Sequence, residues 1–221
     1  FLINHPFRWA TTSLTQGDTW LPLLDPLNKL GYQIEIVTTN YDLVIEEAIS
    51  KGNIVDNGWV GNSVRTLDME RWTDSKNTEK TGLLTKLHGS LNWTWGSEEN
   101  QIYIGAPAFS GNHNSHVIIY PGFKGKPSET IFQNFHSHFR KSLESSHAVI
   151  FIGFAFRDEY INDICERYIT QNTITSVINP AIVDLPFNSK NTNYISEPFN
   201  KESVAAVNKF IRENLPSGIV A

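Results

Sequence analysis

Residues 33–50 read QIEIVTTNYDLVIEEAIS, and this segment predicts a strand, a polar turn and a helix in direct succession. The apolar and β-branched residues at 33–38 are typical of a strand, and the residues from about 43 to 50 favour a helix. Thr39-Asn40-Tyr41-Asp42 separates the two as a turn. A strand that leads through a short turn into a helix is the repeating unit of α/β proteins, so this segment predicts that fold class.

The same unit recurs further along the chain. Ala148–Ile152 is a continuous apolar run, as expected for a strand buried on both faces of a parallel sheet, and a helix is predicted from about Glu159 to Thr170. Further strands are predicted at 83–87, 91–95, 102–104, 117–120 and 176–178, and further helices at 18–30, 129–145 and 201–213. We therefore predict a doubly wound, Rossmann-like, mostly parallel sheet in one domain over residues 1–221, with 51–80 and 96–116 as loops or a small polar insert.

Polar or glycine-containing turns follow four of the predicted strands. These turns are Asn40-Tyr41-Asp42, His88-Gly89-Ser90, Gly153-Phe154-Ala155 and Asn179-Pro180. In open α/β sheets, ligands bind outside the carboxyl ends of the strands. If the four strands are parallel neighbours, the four turns meet at one crevice, which we predict to be the functional site.

Composition excludes several other classes of protein. The net charge of −5, from 23 acidic and 18 basic residues, opposes a phosphate-neutralising nucleic-acid surface. The one cysteine, Cys165, excludes an internal disulfide and a thiolate zinc cage, and its place on the apolar face of a predicted helix indicates an inert buried thiol. No run of 18 apolar residues occurs, so we predict a cytoplasmic protein without membrane contact.

Three motifs at these strand ends, in this order, resemble the sirtuin-like superfamily. They are Thr38-Thr39-Asn40-Tyr41-Asp42, then Leu87-His88-Gly89-Ser90-Leu91-Asn92-Trp93, then Gly153-Phe154-Ala155-Phe156-Arg157-Asp158. The chain is similar in particular to the prokaryotic branch of NAD hydrolases in antiviral defence, over roughly residues 33 to 180. Each motif alone is weak, whereas the ordered set is specific.

The resemblance implies a substrate and a role for each matching residue. The substrate is NAD+, with no metal. Asn40 is implied to orient the water and the nicotinamide ribose, and His88 to act as the catalytic histidine beside the ribose hydroxyls. The residues that the resemblance implies in NAD binding are Thr38, Thr39, Tyr41, Asp42, Gly153, Ala155 and Asn179.

These residue types suit the cleavage of a glycosidic bond to nicotinamide. Nicotinamide leaves as a neutral pyridine through an oxocarbenium-like transition state, so little acid assistance is needed. A histidine can accept a proton near neutral pH, and an asparagine amide can orient a water without adding charge. Water as the nucleophile gives hydrolysis and adenine gives cyclisation, and the sequence leaves both open.

Two features depart from the wider family. Its members begin with a glycine-rich turn that cradles the pyrophosphate at a helix N-terminus, but these 221 residues contain no Gly-x-Gly. We expect that segment to lie before Phe1. Protein-deacylating sirtuins carry a four-cysteine zinc module, which a single cysteine excludes, and this opposes the deacylase interpretation.

Each candidate residue also has a structural interpretation. Asn40 and Asp42 follow a strand, where such residues often cap the next helix, and Asp158 is favoured as an N-cap. A buried histidine such as His88 is commonly a hydrogen-bonded core residue. A metal site is disfavoured because two of the remaining histidines lie in a polar loop and two would point to different faces of a helix: His113, His116, His136 and His138.

The sequence thus predicts an NAD+ hydrolase that releases nicotinamide and ADP-ribose. The resemblance implies a toxic effector of an antiphage system that depletes cellular NAD and acts as a homo-oligomer or with a partner protein, without direct nucleic-acid binding. The first alternative is a non-catalytic NAD- or ADP-ribose-binding regulatory module of the same fold, and a protein deacylase is the second. A serine hydrolase of the α/β type is opposed by the lack of a Gly-x-Ser-x-Gly elbow.

Overall fold

The computed structural model describes residues 19–52, 58–61, 65–73, 82–96, 101–104, 116–119 and 126–215. The chain divides into two compact units, one formed by Phe1–Tyr32 with Arg140–Ala221 and the other by Gln33–Phe139. The predicted phosphate-binding segment before Phe1, residue His113 and the side chain of His116 lie outside what the structure describes, while the backbone of His116, predicted in a loop, begins a strand.

The described residues form six helices and ten strands. In chain order they are α1 (19–29), β1 (Ile34–Thr38), α2 (Val44–Gly52), β2 (Trp59–Gly61), β3 (Arg65–Leu67), α3 (Met69–Thr73), β4 (Gly82–Lys86), β5 (Gly89–Trp95), β6 (Ile102–Ile104), β7 (His116–Ile118), α4 (Thr130–Ser145), β8 (Ala148–Ile152), α5 (Glu159–Tyr168), β9 (Ile174–Ile178), β10 (Thr192–Ile195) and α6 (Lys201–Asn214).

The unit Gln33–Phe139 contains two sheets. Strands β1 and β4 pair in parallel, with Thr38 opposite Lys86 at the carboxyl end of the pair. Strands β2, β3, β6, β5 and β7 form an antiparallel sheet in that order. A buried aromatic cluster fills the core of this unit, where the Phe135 ring lies 4.9 Å from Trp72 and 5.8 Å from Trp93.

Within residues 51–80, predicted as a loop or a small polar insert, the structure describes three short elements, β2, β3 and α3. Each of these elements has five residues or fewer, too few for a strand or helix period to stand out among the surrounding Asn, Gly, Asp and Thr. Tertiary contacts hold them in place: β2 pairs with β3, β3 pairs with β6, and the Trp72 indole donates to the carbonyl of Leu84.

The other unit is built on a parallel sheet in the order β10, β9, β8. All five residues of β9 are buried, as expected for a central strand covered on both faces. Helix α5 starts at the predicted cap, because an Asp158 carboxylate oxygen accepts the Ile161 N–H at 3.0 Å. Strand β10, absent from our sequence prediction, lies at the edge, where four half-buried residues give no clear pattern.

Helix α1 in this unit contains both Pro22 and Pro26 and continues through them. Pro26 has no N–H, so it leaves the carbonyl of Pro22 without its usual helical donor. The Asn208 side-chain amide on α6 donates to that carbonyl at 3.0 Å. A ring contact of 4.9 Å between Trp20 and Phe199 also anchors α1.

Candidate functional site

Asn40 and His88 occupy equivalent positions after neighbouring strands. Thr38 pairs with Lys86 in the parallel β1–β4 ladder, and the bond from Leu87 N–H to the Thr38 carbonyl, 2.9 Å, continues it by one step. Asn40 and His88 each follow this pair by two residues. The two predicted catalytic residues therefore leave the sheet at the carboxyl end of the same pair of strands.

The loop that carries Asn40 is held at both ends by its own side chains. The Thr38 hydroxyl accepts the Asn40 N–H at 3.0 Å, and an Asp42 carboxylate oxygen accepts the Val44 N–H at 3.1 Å. The capping interpretation of Asp42 is therefore confirmed, and its second carboxylate oxygen takes no part in that bond. Asn40 itself is exposed, as a residue that meets a ligand must be.

Tyr41 joins this loop to the antiparallel sheet. Its hydroxyl donates to the carbonyl of Ile119 at 2.7 Å, while its own carbonyl accepts the Leu91 N–H at 3.0 Å. The side chain predicted to bind NAD is thus used in an internal contact, and Thr39 is half-buried beside it. The loop therefore has several fixed points around the exposed Asn40.

His88 lies in a tight turn between β4 and β5, and the next residue explains why the turn contains glycine. Gly89 has φ +83°, and a Cβ built on it would lie 1.7 Å from the carbonyl oxygen of Val117. Only glycine allows strand β7 to approach this closely. The His88 carbonyl accepts the Ile119 N–H at 2.9 Å, which fixes the backbone of the histidine to the same region.

The His136 ring lies behind His88. The two rings are stacked with centroids 6.5 Å apart, and His136 is buried. Its Nδ1 lies 2.8 Å from the carbonyl of Phe132, and because a carbonyl only accepts, that nitrogen carries the proton. His138 instead lies against Trp72, with its Nε2 2.7 Å from a Glu35 carboxylate oxygen.

Lys86, which we did not single out in the sequence, is the most buried charged side chain near these turns, with 2% exposed. Its ammonium lies 2.8 Å from a Glu46 carboxylate oxygen and 2.9 Å from the Ser90 hydroxyl. It also donates to the carbonyls of Tyr41 and Asp42. Burial lowers the pKa of Lys86 from its ordinary value, and the Glu46 carboxylate opposes part of that shift. The signal available in the sequence was a lysine at the end of an otherwise apolar strand.

The remaining predicted residues lie in the other unit, at the ends of β8 and β9. Asn179 is buried and joins the two turns, because its amide donates to the Phe154 carbonyl at 3.0 Å and its side-chain oxygen accepts the Ala181 N–H at 3.1 Å. Gly153 has φ +62°, no atom of the described residues lies within 4 Å of the position that its Cβ would occupy, and Ala155 is exposed. Asn179 therefore shapes this turn, while Gly153 and Ala155 border open space.

The non-glycine residue Phe156 has φ +51°, a left-handed conformation that costs an ordinary side chain about 1–2 kcal/mol. Its ring packs 4.9 Å from Phe151 and 4.8 Å from Phe154. Asn162 donates to the Phe156 carbonyl at 2.8 Å. Aromatic packing and this bond offset the strain and fix the turn that leads into α5.

The four predicted turns are thus joined in pairs. Within one unit the Asn40 and His88 turns meet, and within the other the Gly153 and Asn179 turns meet. The single crevice formed by all four stays a prediction. Among the described residues, no group of three His, Cys, Asp or Glu side chains could hold a metal ion.

A family model described as "SIR2-like domain" matches residues 34–194. The chain belongs to the SIR2-like domain family. The match includes the three motifs on which the sequence resemblance rested and both pairs of turns, so the recognition of a sirtuin-like domain is confirmed.

A solved structure supports the fold of this SIR2-like chain. It is a Sir2 homologue, a mutant in complex with 2′-O-acetyl ADP ribose, with a TM-score of 0.56 and 14% sequence identity. The alignment covers 92% of this chain and 69% of that chain. The predicted Rossmann-type α/β fold class is thereby confirmed, and the structure adds the antiparallel sheet to it. No curated protein is significantly similar in sequence. Within its described residues, the SIR2-like chain has no helix both long and apolar enough to cross a membrane.

Proposed function

We propose that this SIR2-like chain is an NAD+ hydrolase that releases nicotinamide and ADP-ribose. The observation that carries the proposal is the equivalent position of Asn40 and His88 after two paired parallel strands. An amide can orient a water molecule and an imidazole can accept a proton, and one hydrolysis reaction needs both roles.

In this mechanism each residue acts on the nicotinamide ribose. His88 accepts a proton from a ribose hydroxyl or from the attacking water. Its backbone is fixed by the hydrogen bond that its carbonyl accepts from the Ile119 N–H. Asn40 is exposed at the tip of a tethered loop and orients the water that attacks C1′ as nicotinamide leaves. Nicotinamide leaves uncharged, so no strong acid is required.

The other predicted residues are assigned to binding. Gly153 and Ala155 border open space at the end of β8 and accept the adenosine ribose. Asn179 acts on that ribose and also shapes the turn through its bond to the Phe154 carbonyl. Thr38, Thr39, Tyr41 and Asp42 form the loop beside the nicotinamide end.

We further propose a biological setting for this activity. The motif set resembles that of prokaryotic defence enzymes, so the chain is assigned as a cytoplasmic effector that depletes NAD during phage infection. It acts as a homo-oligomer or with a partner protein. Expression of the active protein and of a His88→Ala variant in phage-infected bacteria, with cellular NAD measured over time, tests this assignment: NAD should fall only with the active protein.

The direct test of the activity is nicotinamide release from NAD+ by the full-length protein. We expect His88→Ala to lower turnover ~100-fold or more, in the range for loss of a general base, and Asn40→Ala to lower it by a similar factor. Matched controls are His147→Ala and Asn172→Ala, which remove exposed side chains in the other unit. Equal turnover in the wild type and both site variants would overturn the catalytic assignment.

The second candidate function is a non-catalytic NAD- or ADP-ribose-binding regulatory module of the same fold. It predicts that ADP-ribose raises the melting temperature while NAD+ stays intact. Release of nicotinamide only in the presence of an acyl-lysine peptide would instead indicate a deacylase. Chromatography of the products separates ADP-ribose from its cyclic form.

A further inference from the structure

The Lys86 side chain contacts backbone carbonyls of the loop that carries Asn40. Its ammonium reaches the carbonyl oxygens of Tyr41, at 3.4 Å, and of Asp42, which directly follow Asn40. Lys86 lies on β4, two residues before His88. One side chain therefore connects the strand that leads to His88 with the loop that carries Asn40.

The other contacts of Lys86 hold the ammonium in this position. Glu46 on α2 accepts at 2.8 Å and Ser90 on β5 lies at 2.9 Å. Helix α2, strand β5 and the Asn40–Asp42 loop therefore all contact the ammonium. Ser90 itself donates to the Tyr41 carbonyl at 3.3 Å. An ammonium has three hydrogens, and here they face four acceptors of which two are carbonyls of the same loop.

The surroundings of Lys86 leave little room for a ligand of its own. On its aromatic side, Trp59, Trp72 and Trp93 border a cavity of about 10 Å³, which is the space of at most one water molecule. The Lys86 side chain is only 2% exposed, so a substrate that enters from solvent would not contact it directly.

An ion pair such as Lys86–Glu46, with one partner buried and the other half-buried, is also a poor source of stability. Removal of two charges from water costs several kcal/mol per ion, and apolar residues of similar size often replace such pairs without loss. Glu46 alone would satisfy the charge of Lys86, but it gives no reason for the ammonium to contact two consecutive loop carbonyls. The contacts to the Tyr41 and Asp42 carbonyls therefore indicate that Lys86 holds the loop in place.

We propose that Lys86 is a positioning residue that fixes the Asn40–Asp42 loop relative to His88 through the carbonyls of Tyr41 and Asp42. The proposal rests on the NAD+ hydrolase function for its kinetic consequence. Its structural consequence, a fixed loop, does not depend on that function and can be measured by itself.

The test uses Lys86→Met, which keeps the length of the side chain and removes every donor. Two amides report on the loop: the Asn40 N–H bonded to Thr38 and the Val44 N–H bonded to Asp42. We expect hydrogen exchange at these amides to accelerate ~10-fold or more, with amides of β8, β9 and β10 unchanged. The turnover of NAD+ should fall ~10- to 100-fold, as expected for a misplacement of about 1 Å, while the Kd for ADP-ribose changes by less than about 3-fold.

The control is Lys209→Met, which removes an exposed Lys–Glu contact of 3.9 Å in the other unit and should alter neither readout. Because Lys86→Met leaves the half-buried Glu46 without its partner, the double variant Lys86→Met/Glu46→Gln is measured as well, and it should show the same fast loop exchange in a folded protein. Loop exchange and turnover at wild-type values in a folded variant would overturn the proposal. So would general loss of protection across residues 33–139 in both variants, since that result assigns Lys86 to stability alone. A wild type that releases no nicotinamide refutes the hydrolase function, and the exchange measurement still decides the role of Lys86.

Discussion

Substitution of Gly89 by alanine should destabilise the protein far more than the size of a methyl group suggests. The new Cβ would lie 1.7 Å from the Val117 carbonyl oxygen and 2.7 Å from its carbon, and both atoms belong to the backbone of β7. No side-chain rotation can relieve this overlap, so β7 must move away from β5. The φ of +83° adds about 1–2 kcal/mol for an L-residue, and overpacking typically adds about 1–3 kcal/mol.

The expected loss is therefore about 3 kcal/mol in the free energy of unfolding. At about 2–4 °C per kcal/mol for a chain of this size, the melting temperature should fall by roughly 6–12 °C. Movement of β7 also disturbs the bond between Ile119 N–H and the His88 carbonyl, so nicotinamide release should fall as well. Circular dichroism with heat and urea measures the first effect, and product chromatography measures the second.

Gly153→Ala is the matched control for this substitution. Gly153 also has a left-handed φ, +62°, but within the part of the chain that the structure describes nothing lies within 4 Å of the position that its Cβ would occupy. The free energy of unfolding of Gly153→Ala should fall only by the backbone cost of about 1–2 kcal/mol, because no steric overlap is added. A Gly89→Ala variant that is as stable as Gly153→Ala would refute the argument from the close approach of β7.

Three further predictions follow from single side chains. Asn179→Ala leaves the Phe154 carbonyl and the Ala181 N–H without their partner and should cost about 1–3 kcal/mol in urea unfolding, whereas the exposed Asn172→Ala should cost under about 0.5 kcal/mol. Cys165 is buried and its pKa is raised to about 12 by desolvation, so a thiol reagent at pH 8 should modify it only in denaturant; rapid labelling of the native protein would contradict its burial. Burial lowers the pKa of Lys86 below 10.5, so between the lowered pKa and 10.5 the unfolded chain binds more protons than the folded chain. In this pH interval the free energy of unfolding of the wild type, relative to that of Lys86→Met, should rise with pH. A fall of this relative stability with pH would contradict the direction of the shift.

Local pattern was sufficient where a residue's environment follows from its neighbours in sequence. The apolar and β-branched residues of β1, β8 and β9 predicted strands, and Asp158 before α5 was predicted as the cap that it is. The prediction that β8 is buried on both faces was wrong, because all five of its residues are half-buried and β8 lies at the edge of the described three-stranded sheet. The ordered motifs at the strand ends predicted the SIR2-like family, which the match over residues 34–194 confirmed.

Pattern was insufficient where the partner is distant in the chain. The short strand β2 is stabilised by pairing with β3, and β3 by pairing with β6. A strand of three residues is too short for its own sequence to reveal such pairing. Pro26 in α1 is accommodated because Asn208, far along the sequence, donates to the carbonyl that the proline leaves without a helical donor. Sequence periodicity does not report contacts of this kind.

The sequence by itself determined the fold class, the family and which residue types stand at the strand ends, because these depend on local hydrophobicity, turn chemistry and motif order. The tertiary structure decided what those residues do. It separated Gly89, fixed by the backbone of Val117, from Gly153, which borders open space. It also made Lys86 a contact of the Asn40 loop, because the parallel register of β1 and β4 brings together residues more than forty positions apart.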